Sequence, residues 1–183
     1  MNAFEQIVAM LLHRQGYWVQ TSYKVELTRQ DKRRMGLPSS PRWEIDVLAY
    51  RSVGNLVLAI ECKSFLNSPG VKYPAFAGQT VKGPDRYKLF TRPKVRKTVL
   101  ARLAAQLHDR KLARANPKVQ LCLAAGHIYK GDEQLIRKHC ARNGWRLFAP
   151  DWIAEKLSSL SDSAYENEVA TVAAKLVANA RQP

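Results

Sequence analysis

The sequence predicts an α/β fold: a β-sheet of mixed direction with helices on both faces. Two observations carry that prediction. Three successive segments, 17–28, 43–50 and 55–63, read as strands, and only a four-residue link joins the last two. Beyond residue 97, helical and strand patterns alternate, as they do when crossover helices join strands of one sheet.

The elements follow in order. Residues 3–15, AFEQIVAMLLHRQ, set Phe4, Val8, Leu11 and Leu12 at helical spacing with Ile7 beside them; Asn2 suits the cap and Gly16 the end. Residues 17–28, YWVQTSYKVELT, are β-branched and aromatic, which favours a strand. Residues 29–42, RQDKRRMGLPSSPR, read as a polar, basic loop with Gly, Pro and Ser punctuation. Strands 43–50 (WEIDVLAY) and 55–63 (NLVLAIECK) then form a hairpin through residues 51–54. Residues 64–97 are basic and rich in Gly and Pro, with room for a short helix, and a loop of that length is usually functional or partly disordered.

Residues 98–114 predict a helix on the stripe of Val99, Leu103 and Leu107, with Leu100 and Ala104 alongside. A buried-type strand at 118–125, a helix at 132–143 that Gly144 can end, and a short strand at 145–148 follow. Two helices, near 151–160 and 164–180, close the pattern. Residues 1–150 thus read as a core and 151–183 as a helical extension of the same domain.

The composition, 46% hydrophobic and 25% charged over 183 residues, suits one globular domain with a sizeable core. No apolar run approaches the roughly 18–20 residues that span a bilayer. The apolar stretch 7–12 is too short, with Glu5 ahead of it, for a secretory signal, so no membrane and a cytoplasmic location are expected. Cys62, Cys122 and Cys140 lack CxxC spacing and read as reduced thiols, and His13, His108, His127 and His139 show no metal-ligand spacing.

The charge is the strongest global signal. Thirty Lys and Arg oppose fifteen Asp and Glu, a net of +15, which favours polyanions through counterion release. Residues 82–118 alone carry twelve cations against Asp85 and Asp109, a net of +10. Lys72, Lys82, Arg86, Lys88, Arg92, Lys94, Arg96 and Lys97 stand in or beside that tract as candidate phosphate contacts. Tyr73, Phe76, Tyr87 and Phe90 interleave with them as candidate contacts to sugars or unstacked bases. Arg33 and Arg34 belong to a second basic cluster ahead of the 43–50 strand, and two basic loops around one site would form a phosphate-tracking cleft.

Between those loops lies the chemistry. Along 55–63, Val57, Ala59, Glu61 and Lys63 share one face while Leu58, Ile60 and Cys62 share the other. The run is apolar on both faces until its end, so it reads as a central strand whose Glu61 and Lys63 emerge at the sheet edge, where open α/β sheets carry their sites. Hairpin pairing sets Asp46 nearly opposite residues 59–61, about 5 Å away in the neighbouring strand. Asp46 and Glu61 can therefore share a divalent cation, with Lys63 to position water or offset negative charge. Glu44 lies on the Asp46 face and reads as a solvated strand residue.

The pattern Asp46, then Glu61-Cys62-Lys63, resembles the PD-(D/E)xK nuclease superfamily over roughly residues 1–150, with Ile45 where that family often has Pro. The resemblance implies a restriction-endonuclease-like fold and a metal-dependent endonuclease that leaves a 5′-phosphate and a 3′-hydroxyl on DNA. It implies that Asp46, Glu61 and the Cys62 carbonyl hold Mg²⁺ or Mn²⁺, that Lys63 orients or activates the attacking water, and that Glu5 on the first helix supports the metal site. Cutting both strands of a duplex would call for a homodimer. The alternative is a catalytically silent nucleic-acid-binding module with the same fold.

Overall fold

In a computed structural model, which describes residues 2–37, 42–80, 85–164 and 166–180, the chain forms a five-stranded open sheet in the order β1-β2-β3-β4-β5. The strands are β1 (Trp18–Val25), β2 (Trp43–Arg51), β3 (Leu56–Lys63), β4 (Lys118–Ala125) and β5 (Arg146–Phe148). β2 is antiparallel to β1 and β3, whereas β3, β4 and β5 run parallel. The expected mixed sheet with helices on both faces is therefore present.

The face carried by Val57 and Ala59 packs beneath α5 (Pro93–Asp109), whose Val95, Val99, Leu103 and Leu107 recur every four residues and are all buried. Each such side chain contributes about 1.5–3 kcal/mol on burial. The face carried by Leu58, Ile60 and Cys62 packs on α1 (Ala3–Arg14) and α7 (Pro150–Ser158) through Val8, Leu11, Leu12 and Ile153. β3 is thus covered on both sides, as its two-faced apolar pattern requires. Arg14 on α1 pairs with Glu166 and hydrogen-bonds the buried Thr171, holding α8 (Val169–Asn179) against the body.

Three segments differ from the sequence expectation. Residues 29–34 are not loop: α2 (Arg29–Arg34) is capped by Thr28, whose hydroxyl accepts the Asp31 N–H while the Asp31 carboxylate accepts the Thr28 N–H. α5 begins at Pro93 rather than residue 98, with proline at the first helical position where its missing N–H costs nothing. In the stretch expected to be irregular with room for one short helix, two occur, α3 (Tyr73–Phe76) and α4 (Lys88–Thr91).

One interruption bears on the site. The β1–β2 ladder pairs Thr21 with Val47 and Tyr23 with Ile45, but Ser22 adopts the left-handed conformation (φ 51°) and it and Asp46 are skipped.

Candidate active site

β3 ends at Lys63, and the chain then makes a closed excursion over the sheet edge. The Gly126 N–H donates to the Lys63 carbonyl (2.9 Å), and Val71 bridges Ile128 by donating to the His127 carbonyl (3.0 Å) and accepting from the Tyr129 N–H (3.0 Å). Two glycines permit that closeness. A Cβ on Gly126 would lie 2.5 Å from the Ser64 carbonyl oxygen, and one on Gly70 (φ 93°) 2.8 Å from the Ile128 carbonyl carbon. Both obstacles are backbone, so neither can swing aside. Gly126→Ala is therefore expected to displace the turn after Lys63 and cost about 1–3 kcal/mol; an unchanged thermal midpoint would contradict this close approach.

At this edge β2 and β3 bring three groups together. Continuing the register of Val47 with Ile60 sets Asp46 opposite Glu61. The Asp46 Oδ2 accepts the Cys62 N–H at 2.7 Å, so the Asp46 carboxylate is tied to the neighbouring strand rather than left to rotate. The Lys63 Nζ stands 3.6 Å from Glu61 Oε2 and 4.0 Å from Asp46 Oδ2, and it donates to the Cys62 carbonyl at 3.2 Å. All three side chains are more than three-quarters buried. Burial, then the Asp46 carboxylate, raise the Glu61 pKa to about 7, and Lys63 only partly opposes them. The Cys62 thiol points to the α1 face, where burial first and then Asp46 raise its pKa, so sulfur offers no ligand on the carboxylate side.

Glu5 does not join this group directly. It is the N3 residue of the α1 capping box, and its carboxylate accepts from the Asn2 backbone N–H (3.2 Å) and the Asn2 side-chain amide (2.7 Å). It is close enough to help disfavour the ionised forms of Glu61 and Cys62. Among the described residues, no set of three or more His, Cys, Asp and Glu side chains gathers to hold a metal ion. Glu44 is exposed, in keeping with a solvated strand residue.

The basic residues divide between the two ends of the sheet. Lys72 follows the Val71 bridge at the carboxylate edge, its Nζ 4.9 Å from the Tyr129 ring centroid. The Arg86 guanidinium lies 5.9 Å from the centroid of Phe65, two residues past Lys63, and Phe65 is itself left-handed (φ 45°). β1 runs parallel to β3, so Arg33 and Arg34 on α2 leave from the same edge and are exposed. Arg92 is paired with Asp85 at 2.8 Å, and Lys88 is half-buried on α4. Lys94, Arg96 and Lys97 sit in the first turns of α5, with Arg96 and Lys97 beside Lys118 at the start of β4, the far end from the carboxylates. They do not flank the site as the linear order suggested. Lys82 lies outside the described residues.

The interleaved aromatics are also placed differently from the expectation. Phe76, Tyr87 and Phe90 are buried, and Phe76 packs its ring against Tyr87, Phe90, His139 and Trp145 at centroid distances of 4.8–6.2 Å. They anchor α3 and α4 in the core and have no face left for a base. Tyr73 is half-buried against His139. Sequence reasoning missed Phe65 and Gly126; a glycine immediately after a buried strand was the only available signal for the latter.

Among the described residues, no helix is long and apolar enough to cross a membrane. No family model, no curated protein and no solved structure matches the chain.

Proposed function

We propose that the protein is a metal-dependent endonuclease acting on DNA, with a restriction-endonuclease-like core. The observation that carries this reading is the convergence of Asp46, Glu61 and Lys63 at the end of the central strand, with both carboxylates within 4.0 Å of the lysine nitrogen.

The donor set fits a hard divalent cation. It offers two carboxylates and the Cys62 carbonyl, all oxygen, and Glu61 resists ionisation until positive charge offsets burial and Asp46. Mg²⁺ or Mn²⁺ held there would supply charge neutralisation and Lewis-acid activation at the scissile phosphate. The chain's own residues do the rest. Asp46, fixed by the Cys62 N–H, sets the position of the site relative to β3. Lys63, turning from the Cys62 carbonyl toward substrate, holds the attacking water and offsets negative charge that builds on the phosphate oxygens. Lys72 and Arg86 beside the site, with Arg33 and Arg34 along the same edge, draw the phosphate backbone in.

The test is cleavage of supercoiled plasmid, branched DNA and single strands with Mg²⁺, Mn²⁺ or EDTA, with Glu61→Ala run in parallel. Cutting that needs metal, leaves 5′-phosphates and is lost in Glu61→Ala is expected. One observation favours the silent binding module instead: Asp46 and the Cys62 carbonyl already have partners within the protein. Folded protein that binds DNA in a salt-dependent way, cuts no form of it with either metal, and binds unchanged as Asp46→Ala would establish that second reading.

A further inference from the structure

At the opposite end of the sheet lies a cleft of about 670 Å³, walled by Arg96, Lys97, Lys118, Gln120, Asn143 and Trp145 among others, with no acidic residue in its lining. Arg96 is the unusual member. Its guanidinium donates to the Leu89 and Phe90 carbonyls (3.1 and 2.9 Å) and stacks 4.9 Å from the Trp145 ring centroid. It is half-buried, burial holds its pKa below the ordinary arginine value, and no ion pair joins it among the described residues. Three other arginines of the tract, Arg92, Arg102 and Arg110, each pair with a carboxylate, Asp85, Asp31 and Glu26, while Arg86 and Arg114 are exposed; Arg96 is the one that is half-buried and held by carbonyls and a ring instead. A partly desolvated, pre-oriented cation normally has an anion beside it. Here the fold provides two more cations, Lys97 and Lys118, and no counter-charge.

We propose that this cleft is a second binding site for backbone phosphates of the nucleic acid that the carboxylate edge engages. The proposal rests on the nuclease reading for the identity of the polyanion. Lys118 pairs with Leu56 and Ala125 with Lys63, so seven residues of β4 separate the two sites, about 23 Å at strand rise. That is about seven base pairs of B-form duplex. A substrate must therefore be longer than about seven base pairs, or branched, to occupy both sites. Arg96, fixed by two carbonyls and a ring, orients its remaining N–H donors at a phosphate, and Lys97 and Lys118 add charge from either wall.

The test compares wild type with Lys97→Gln/Lys118→Gln by fluorescence anisotropy in Ca²⁺, on a 24-base-pair duplex and on a hairpin with a 6-base-pair stem, over a range of salt. Both lysines are exposed, so the variant is expected to keep its fold, and a thermal melt checks this. On the long duplex the variant should bind about tenfold to a hundredfold more weakly at 0.1 M salt, with the log–log salt slope shallower by about 1.8. On the short stem the two proteins should bind alike. Identical slopes on the long duplex, with wild type still cutting DNA, would overturn the second site and leave the nuclease reading standing. Neither binding nor cutting by wild type would overturn both. Binding of ATP or pyrophosphate that is lost in the variant, with the duplex slope unchanged, would show a site for small phosphate ligands and overturn the polynucleotide assignment.

Discussion

On the proposed nuclease reading, Glu61→Gln is expected to abolish cleavage, by about 10³-fold or more, and, independently of that reading, to stabilise the metal-free protein at pH 8. The second effect follows from the direction of the Glu61 shift. Burial and Asp46 raise its native pKa from 4.5 to about 7, above the unfolded value. The native state therefore binds more protons than the unfolded chain between those values, and stability falls as pH rises through that window. Above pH 7 the ionised carboxylate costs up to about 3 kcal/mol, since one pKa unit is about 1.4 kcal/mol. Glutamine keeps the shape of the neutral acid and carries no charge at any pH. The melting temperatures of the two proteins should coincide near pH 4 and separate by several degrees at pH 8 in EDTA, with the variant higher. Mg²⁺ should raise the wild-type midpoint at pH 8 and leave the variant's in place. A variant less stable than wild type at pH 8 without metal would refute the assignment of Glu61 as a strained, cation-seeking carboxylate.

Phe76→Ala is expected to give the largest loss of stability of any single change among the described residues of 64–92. Phe76 is fully buried and is the hub of the aromatic cluster formed with Tyr87, Phe90, His139 and Trp145. Truncation removes the ring and leaves a cavity among rigid neighbours, a cost of about 3–5 kcal/mol against a total domain stability of about 5–15 kcal/mol. The consequence is local as well as global. Phe90 contacts both Phe76 and Trp145, and Trp145 supports Arg96, so the cluster links the segment after β3 to the cleft at the far end of the sheet. Limited proteolysis should cut the variant within 64–92 well before the wild type is cut there. Equal protease resistance would mean that the cluster does not hold the segment down.

The parts of the fold that the sequence made legible are those governed by short-range pattern. The β2–β3 hairpin could be read because alternation fixes which side chains share a face, and that was enough to bring Asp46 to Glu61 and Lys63. Helix α5 is legible in its stripe of Val99, Leu103 and Leu107, but that stripe places its start at residue 98, five residues late, because a proline suits a loop as well as a first helical position. The Thr28-to-Asp31 capping box was present in the sequence too, but the surrounding charge made the segment read as loop. What could not be read was long-range. Arg102 finds Asp31 and Arg110 finds Glu26 across more than seventy residues, which removes two cations from a tract that looked uniformly free. The basic first turns of α5 follow Lys63 in the chain yet lie at the other end of the sheet, because the crossover from β3 to β4 must carry the chain back to where β4 begins. The aromatics at 76, 87 and 90 lacked helical or strand periodicity, so nothing local distinguished core from contact surface.

The left-handed Ser22 carries one more consequence. β1 is an outer strand of the sheet, and an eight-residue outer strand is a template for adding a strand from another molecule; Gln106 of α5 already donates to its Lys24 carbonyl at 2.9 Å. Ser22 interrupts it near the middle, so an incoming chain meets two short stretches instead of one continuous ladder. Lys24 beyond the interruption adds an exposed charge to the strand. The same kink that leaves Asp46 out of the β1–β2 ladder thus breaks the continuous edge that strand-to-strand association between copies would need.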